Sequence, residues 1–79
     1  MENKEKYEQV FMTCFSLEKT ALNDELVYNS ISTWDSIGHM AMIAALEEAF
    51  DIMMDTNDII DFSSYDKGIE ILAKYDVKM

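Results

Sequence analysis

The run from Trp34 to Phe50, Trp-Asp-Ser-Ile-Gly-His-Met-Ala-Met-Ile-Ala-Ala-Leu-Glu-Glu-Ala-Phe, constrains this chain more than any other stretch. An acid and a serine open it, and a helix-forming sequence follows that is apolar on two sides. At the helical period, His39, Met42, Ile43, Leu46 and Phe50 follow one stripe. Ile37, Met40, Ala41, Ala44 and Ala45 lie on a second side, which ends in Glu47 and Glu48. A small domain buries one stripe of such a helix in its own core. The second side is therefore expected to face solvent, and exposed apolar surface with an acidic rim marks a docking site for another protein. Ser36, preceded by Asp35, is expected at the tip of the turn beside that surface.

The remaining segments are placed around this helix. A length of 79 residues makes one domain, residues 1–79. A chain of this size buries only roughly 60% of its unfolded surface. The absence of proline and the presence of only two glycines favour an all-helical chain over a turn-rich β-fold. Residues 1–15 carry Tyr7, Val10, Phe11 and Cys14 at the spacing of an amphipathic helix. Ser16 to Thr33 is a long connection, for which Leu17, Leu22, Leu26, Tyr28 and Ile31 are the expected anchors, with a short helical turn near Asn23–Val27. Asp51–Asp55 forms a break, after which Asp55 or Thr56 can cap a short helix over Asn57–Phe62, with Ile59, Ile60 and Phe62 as its apolar contacts. Ser63, with Asp66 three residues on, opens the last helix, whose stripe is Tyr65, Ile69, Leu72 and Tyr75 or Ala73. Gly68 inside that helix costs about 1 kcal/mol against alanine and marks close packing of two helices. The predicted fold is all-α, a small four-helix bundle of three main helices and one short one, with a long first loop.

Sixteen acidic against six basic side chains set a net charge of −10. That excludes nucleic acid as a partner, since phosphate backbones need a basic footprint. It favours fast, salt-sensitive encounters with basic protein surfaces. The single cysteine, Cys14, permits no intramolecular disulfide and reads as a packed core thiol in a reducing cytoplasm. The longest apolar run falls far short of a membrane span, and no secretory signal opens the chain. The expectation is a monomer in the cytoplasm.

Ser36 could serve as a nucleophile only with a base in reach and a group to orient that base. His39, the only histidine, lies one helical turn away. No glycine-rich elbow flanks the serine, and a domain this small is not expected to enclose a large pocket. His39 reads instead as a packing residue at the edge of the buried stripe, and the chain as no enzyme. Taken without context, Asp35 and Ser36 are both good helix caps. Asp55-Thr56-Asn57-Asp58 resembles a calcium loop, but Ile60 stands where the central glycine is required and Asp66 where the bidentate glutamate belongs, so no metal is expected.

Asp35-Ser36-Ile37 followed by a helix ending Leu46-Glu47-Glu48-Ala49-Phe50 resembles the acyl carrier proteins. The resemblance extends over nearly the whole chain, including the long first loop, in which Leu26-Val27-Tyr28-Asn29-Ser30-Ile31 runs on to Trp34-Asp35-Ser36. It is closest to stand-alone carriers of specialised pathways. The resemblance implies that a phosphopantetheinyl transferase attaches 4′-phosphopantetheine from coenzyme A to Ser36, with Asp35 beside it. It also implies a thioester-bound acyl cargo, delivered to enzymes with basic docking surfaces. Recognition would fall on Ile37, Met40, Ala41, Ala44, Glu47 and Glu48. Two departures stand out: Gly38 and Ala41 occupy positions that are acidic in the fatty-acid carrier, so the docking face is more apolar here. The alternatives are an aminoacyl or D-alanyl carrier, with the same fold and serine, and an acidic helical adaptor without a prosthetic group. Cargo space is expected to depend on how Met42, Ile43, Leu46, Phe50, Ile59 and Phe62 pack.

Overall fold

The computed structural model describes residues 3–79. It is a four-helix bundle with α1 at Asn3–Phe15, α2 at Ser36–Phe50, the short α3 at Thr56–Asp61 and α4 at Tyr65–Ala73. Among the described residues the only extended pairing is a single antiparallel bridge between Val27 and Ser64. No helix there is long and apolar enough to cross a membrane.

Three helices stop by the same device, and with so few glycines it falls to other residues. Ser16, Asp51 and Asp76 take positive φ of 55°, 53° and 65°. The next amide then turns back onto the helix: Leu17 N donates to Met12 O (3.1 Å), Ile52 N to Glu47 O (3.1 Å) and Val77 N to Leu72 O (3.1 Å). This satisfies carbonyls that a helix end leaves open. It also turns an apolar side chain inward, since Leu17 and Ile52 pack against the core and Val77 is buried.

The core is a chain of aromatic rings flanked by aliphatic side chains. From α1, Tyr7, Phe11 and Phe15 are fully enclosed, while Cys14, expected inside, sits half-buried at the rim. Phe11 meets the Tyr65 ring edge-on at 5.1 Å and the Trp34 ring at 5.5 Å, and Phe15 stacks on Trp34 at 5.3 Å. Met42, Ile43 and Leu46 close the core from α2, and Ile71 and Leu72 from α4. The Tyr7 hydroxyl donates to the carbonyl of Tyr65 at 2.6 Å, so burial leaves it a partner.

The long connection departs from its sequence pattern in three ways. The helical turn is at Lys19–Ala21 rather than near Asn23–Val27. Asn23 takes its own local alternative to helix: its side-chain oxygen accepts from Glu25 N at 2.9 Å while its carbonyl accepts from Leu26 N at 3.1 Å. Tyr28 is no inward anchor, being 39% exposed, whereas Leu26 is buried and Leu17, Leu22 and Ile31 pack against the core. The strongest anchor is Trp34, fully buried, to which the sequence pattern assigned no packing role. The bridge fastens the loop from the other side, with Tyr28 N donating to Ser63 O (2.8 Å) and Tyr65 N to Leu26 O (2.9 Å).

The second half needs smaller corrections. Asp55 precedes α3, but its side chain makes no capping bond, and α3 begins and ends one residue earlier than expected. Ile60 is 73% exposed, because so short a helix turns only one side inward, and the buried contacts come from Phe62 and half-buried Ile59. The cap of α4 is Ser64, not Ser63, accepting from Lys67 N at 2.9 Å. On α4, Tyr65 and Leu72 are buried as expected, Ile69 only partly, Ala73 is exposed, and Ile71 joins the core instead. Gly68 is a contact point: a Cβ there would come to 2.1 Å from Phe62 Cζ and 2.2 Å from the Tyr7 hydroxyl.

Candidate functional site

The site is the turn into α2. Buried Trp34 anchors the chain immediately before it. Asp35 is extended and caps the helix, its Oδ1 accepting from Gly38 N at 2.8 Å. Ser36 is thereby the first helical residue and is exposed. Of the two candidate caps the structure selects Asp35, and among the described residues the Ser36 hydroxyl makes no hydrogen bond.

His39 lies one turn further on and is fully engaged. The Trp34 indole N–H donates to its Nδ1 at 3.0 Å, and its Nε2 lies 2.8 Å from the Ile59 carbonyl. An indole nitrogen only donates and a carbonyl only accepts, so Nδ1 is the bare nitrogen and Nε2 carries the proton. Neither nitrogen is left to activate Ser36. The ring is half-buried, parallel to Trp34 and edge-on to Tyr28 and Phe62.

The two-sided character of α2 resolves into a core side and an exposed side. Ile37 is 81% exposed and Met40 54%, and Ala41, Ala44 and Glu48 are exposed with them. Two assignments change. Ala45 leans onto the core, and Glu47 is half-buried, its Oε2 accepting from Met54 N at 2.9 Å. That bond closes the turn between α2 and α3, so Glu47 is not a free carboxylate of the rim. Gly38 is not on the exposed side at all: a Cβ would come to 2.0 Å from Thr33 O and 3.2 Å from Phe15. A longer side chain has no room there.

Beside Ser36 an apolar cleft of about 330 Å³ opens between the start of α2, the long loop and α3. Tyr28, Ser36, His39, Met40, Ile59, Ile60, Phe62 and Ser63 line it. Of the residues expected to govern cargo space, Ile59 and Phe62 are here, while Met42, Ile43 and Leu46 are closed inside the core. In sequence Tyr28 read as a loop anchor, Ile60 as an apolar contact of the short helix and Ser63 as a helix opener, none of them as the wall of a cleft. The available signal was that two large side chains, Tyr28 and Ile60, fall on segments without a helical stripe long enough to turn them inward, an irregular loop and a six-residue helix.

Two other features have structural explanations. Asp58, in the stretch resembling a calcium loop, accepts from Lys74 Nζ at 2.6 Å and from the Tyr75 hydroxyl, which itself accepts from Asp55 N at 2.9 Å. These bonds tie α3 to the end of α4, and the hydrogen bond from the Lys74 ammonium, with that from Tyr75, holds the Asp58 carboxyl below its ordinary range. Cys14 lines a second groove of about 280 Å³ between α1 and α2. Burial pushes its thiol up, which makes it a poor nucleophile.

Comparison of the chain with protein-family models, curated proteins and solved structures returned no match.

Proposed function

We propose that this protein is a carrier of the acyl carrier type, modified at Ser36 and serving a specialised biosynthetic pathway in the cytoplasm. The observation that supports this reading is the division of labour at the head of α2. Asp35 does the capping, so an exposed serine hydroxyl remains at a helix N-terminus, against an apolar cleft. A plain structural cap would have used that hydroxyl.

The local chemistry fits 4′-phosphopantetheine. A phosphodiester at Ser36 would stand at the first turn of α2, where amides lacking helical partners and the helix dipole favour negative charge. The Asp35 carboxylate opposes that charge but is directed at Gly38 N. The group would supply a terminal thiol that carries cargo as a thioester. The chain's own residues then position and present: Ser36 holds the arm, and the cleft walls offer it apolar surface. Exposed Ile37, Met40, Ala41 and Ala44, with Glu48 at the far end, form the face for loading and transferring enzymes. Net charge of −10 attracts basic docking surfaces.

The decisive experiment is intact mass after incubation with coenzyme A and a broad-specificity phosphopantetheinyl transferase, beside a Ser36→Ala control. A gain of one phosphopantetheine, absent in the control, is the expected result. No gain with several transferases would move the assignment to an acidic adaptor that binds through the same exposed face. A holo-protein loaded only by adenylating enzymes with amino acids would identify an aminoacyl or D-alanyl carrier.

A further inference from the structure

His39 joins three separate parts of the chain. Its backbone belongs to α2, its Nδ1 accepts from Trp34 of the long loop, and its Nε2–H reaches the Ile59 carbonyl of α3. Loop and α3 are the two far walls of the cleft beside Ser36. The imidazole is thus the polar tie that holds both walls to the helix bearing the serine. Trp34 is also the residue two before Ser36, and its own backbone carbonyl accepts from Asn29 N at 3.0 Å.

We propose that His39 is a positioning residue for this cleft, a neutral latch that a proton opens. A proton added at Nδ1 would set an N–H against the Trp34 N–H, donor facing donor. Trp34 is fully buried, so its indole N–H has no water to turn to. The groups that face the imidazole are the Tyr28 and Trp34 rings from the loop, the Ile59 carbonyl from α3 and the Phe62 ring that follows it. None of them is a carboxylate, and no charged side chain lines the cleft among the described residues. The one acceptor in that set, the Ile59 carbonyl, is already engaged by Nε2–H. The proton therefore releases the Trp34 end of the latch while leaving the Ile59 end in place. The inference rests on the carrier reading only for what the latch serves.

The test uses the unmodified protein, whose single tryptophan makes the indole N–H resonance unambiguous in a ¹⁵N-labelled sample. The His39 ring nitrogens are first assigned in mild alkali, and the indole and imidazole resonances are then followed together as acid is added, for as long as the chain stays folded. The expected result is a bare Nδ1 at the start and a single transition of the Trp34 signal that tracks protonation of the His39 ring. In His39→Gln, which keeps one acceptor and one donor and takes up no proton, the Trp34 signal should stay flat. A proton found on Nδ1 at the start, a Trp34 signal that does not move, or the same transition in His39→Gln would overturn the proposal. All three readings are independent of Ser36 modification, so latch and carrier can fail separately.

Discussion

Gly38 stands directly against the backbone of Thr33, so closely that a Cβ on Gly38 would lie 2.0 Å from the Thr33 carbonyl oxygen. Thr33 is held in turn by its hydroxyl, which donates to Phe15 O at 3.2 Å. An exposed helical glycine replaced by alanine would stabilise a helix by about 1 kcal/mol. Here Gly38→Ala should do the opposite and destabilise by about 1–3 kcal/mol, because the obstacle is backbone and cannot rotate away. Urea unfolding measures it, and unchanged or raised stability would contradict the packing described.

Asp35 and Ser36 should separate cleanly in stability. Asp35→Ala removes the bond to Gly38 N and should cost about 1 kcal/mol. Ser36→Ala touches no bond among the described residues and should stay within about 0.5 kcal/mol of the parent. Equal losses in the two variants would mean that Ser36 shares the capping.

Asp58 should contribute to acid sensitivity. Its folded carboxyl is held below the unfolded value by hydrogen bonds from Lys74 and Tyr75. The stability it contributes is therefore present above the unfolded carboxylate range, about pH 4, and is lost as pH falls through the lower folded value. Asp58→Asn should lower the melting temperature at neutral pH and flatten its decline in acid. A variant whose acid limb matches the parent would exclude Asp58 as a contributor.

Alkali acts through the buried phenols. Burial first, then the charges of Glu8 and Asp66, push the Tyr65 hydroxyl up to about 12, against about 10 in an unfolded chain. Stability linked to this group is complete below about pH 10 and is lost as pH rises toward its folded value. Tyr65→Phe should soften alkaline unfolding while sparing the Tyr7 bond, which the Tyr65 backbone accepts. Tyr7 is also raised by burial and keeps part of the alkaline limb in place. Circular dichroism across that range shows whether the limb moves.

Much of the architecture was legible because its signals are local. Tyr7, Val10 and Phe11 at helical spacing, and Met42, Ile43 and Leu46 on one stripe, are buried as their period requires. Gly68 was legible as a packing point, and Asp35-Ser36-Ile37 as the head of a helix with an exposed second side. Some errors fall where period has no force: Tyr28 in the loop, Ile60 on a helix of less than two turns, and the choice between Ser63 and Ser64 as cap. Others, at Cys14, Ala45 and Ile69, fall at the edges of the buried stripes, where period alone does not decide burial.

By itself, then, the sequence determined the four helices, the inward stripes of α1 and α2 in their main residues and the exposure of Ser36, since side-chain period and capping chemistry act over a few residues. The tertiary structure alone decided that Trp34 is a core residue, that His39 has no free nitrogen, that Glu47 closes a turn and that a cleft opens beside Ser36. Each of those depends on a partner in another element, such as Ile59 O for His39 and Met54 N for Glu47. Which such groups meet is set by how the packed helices orient one another, and no local pattern encodes that.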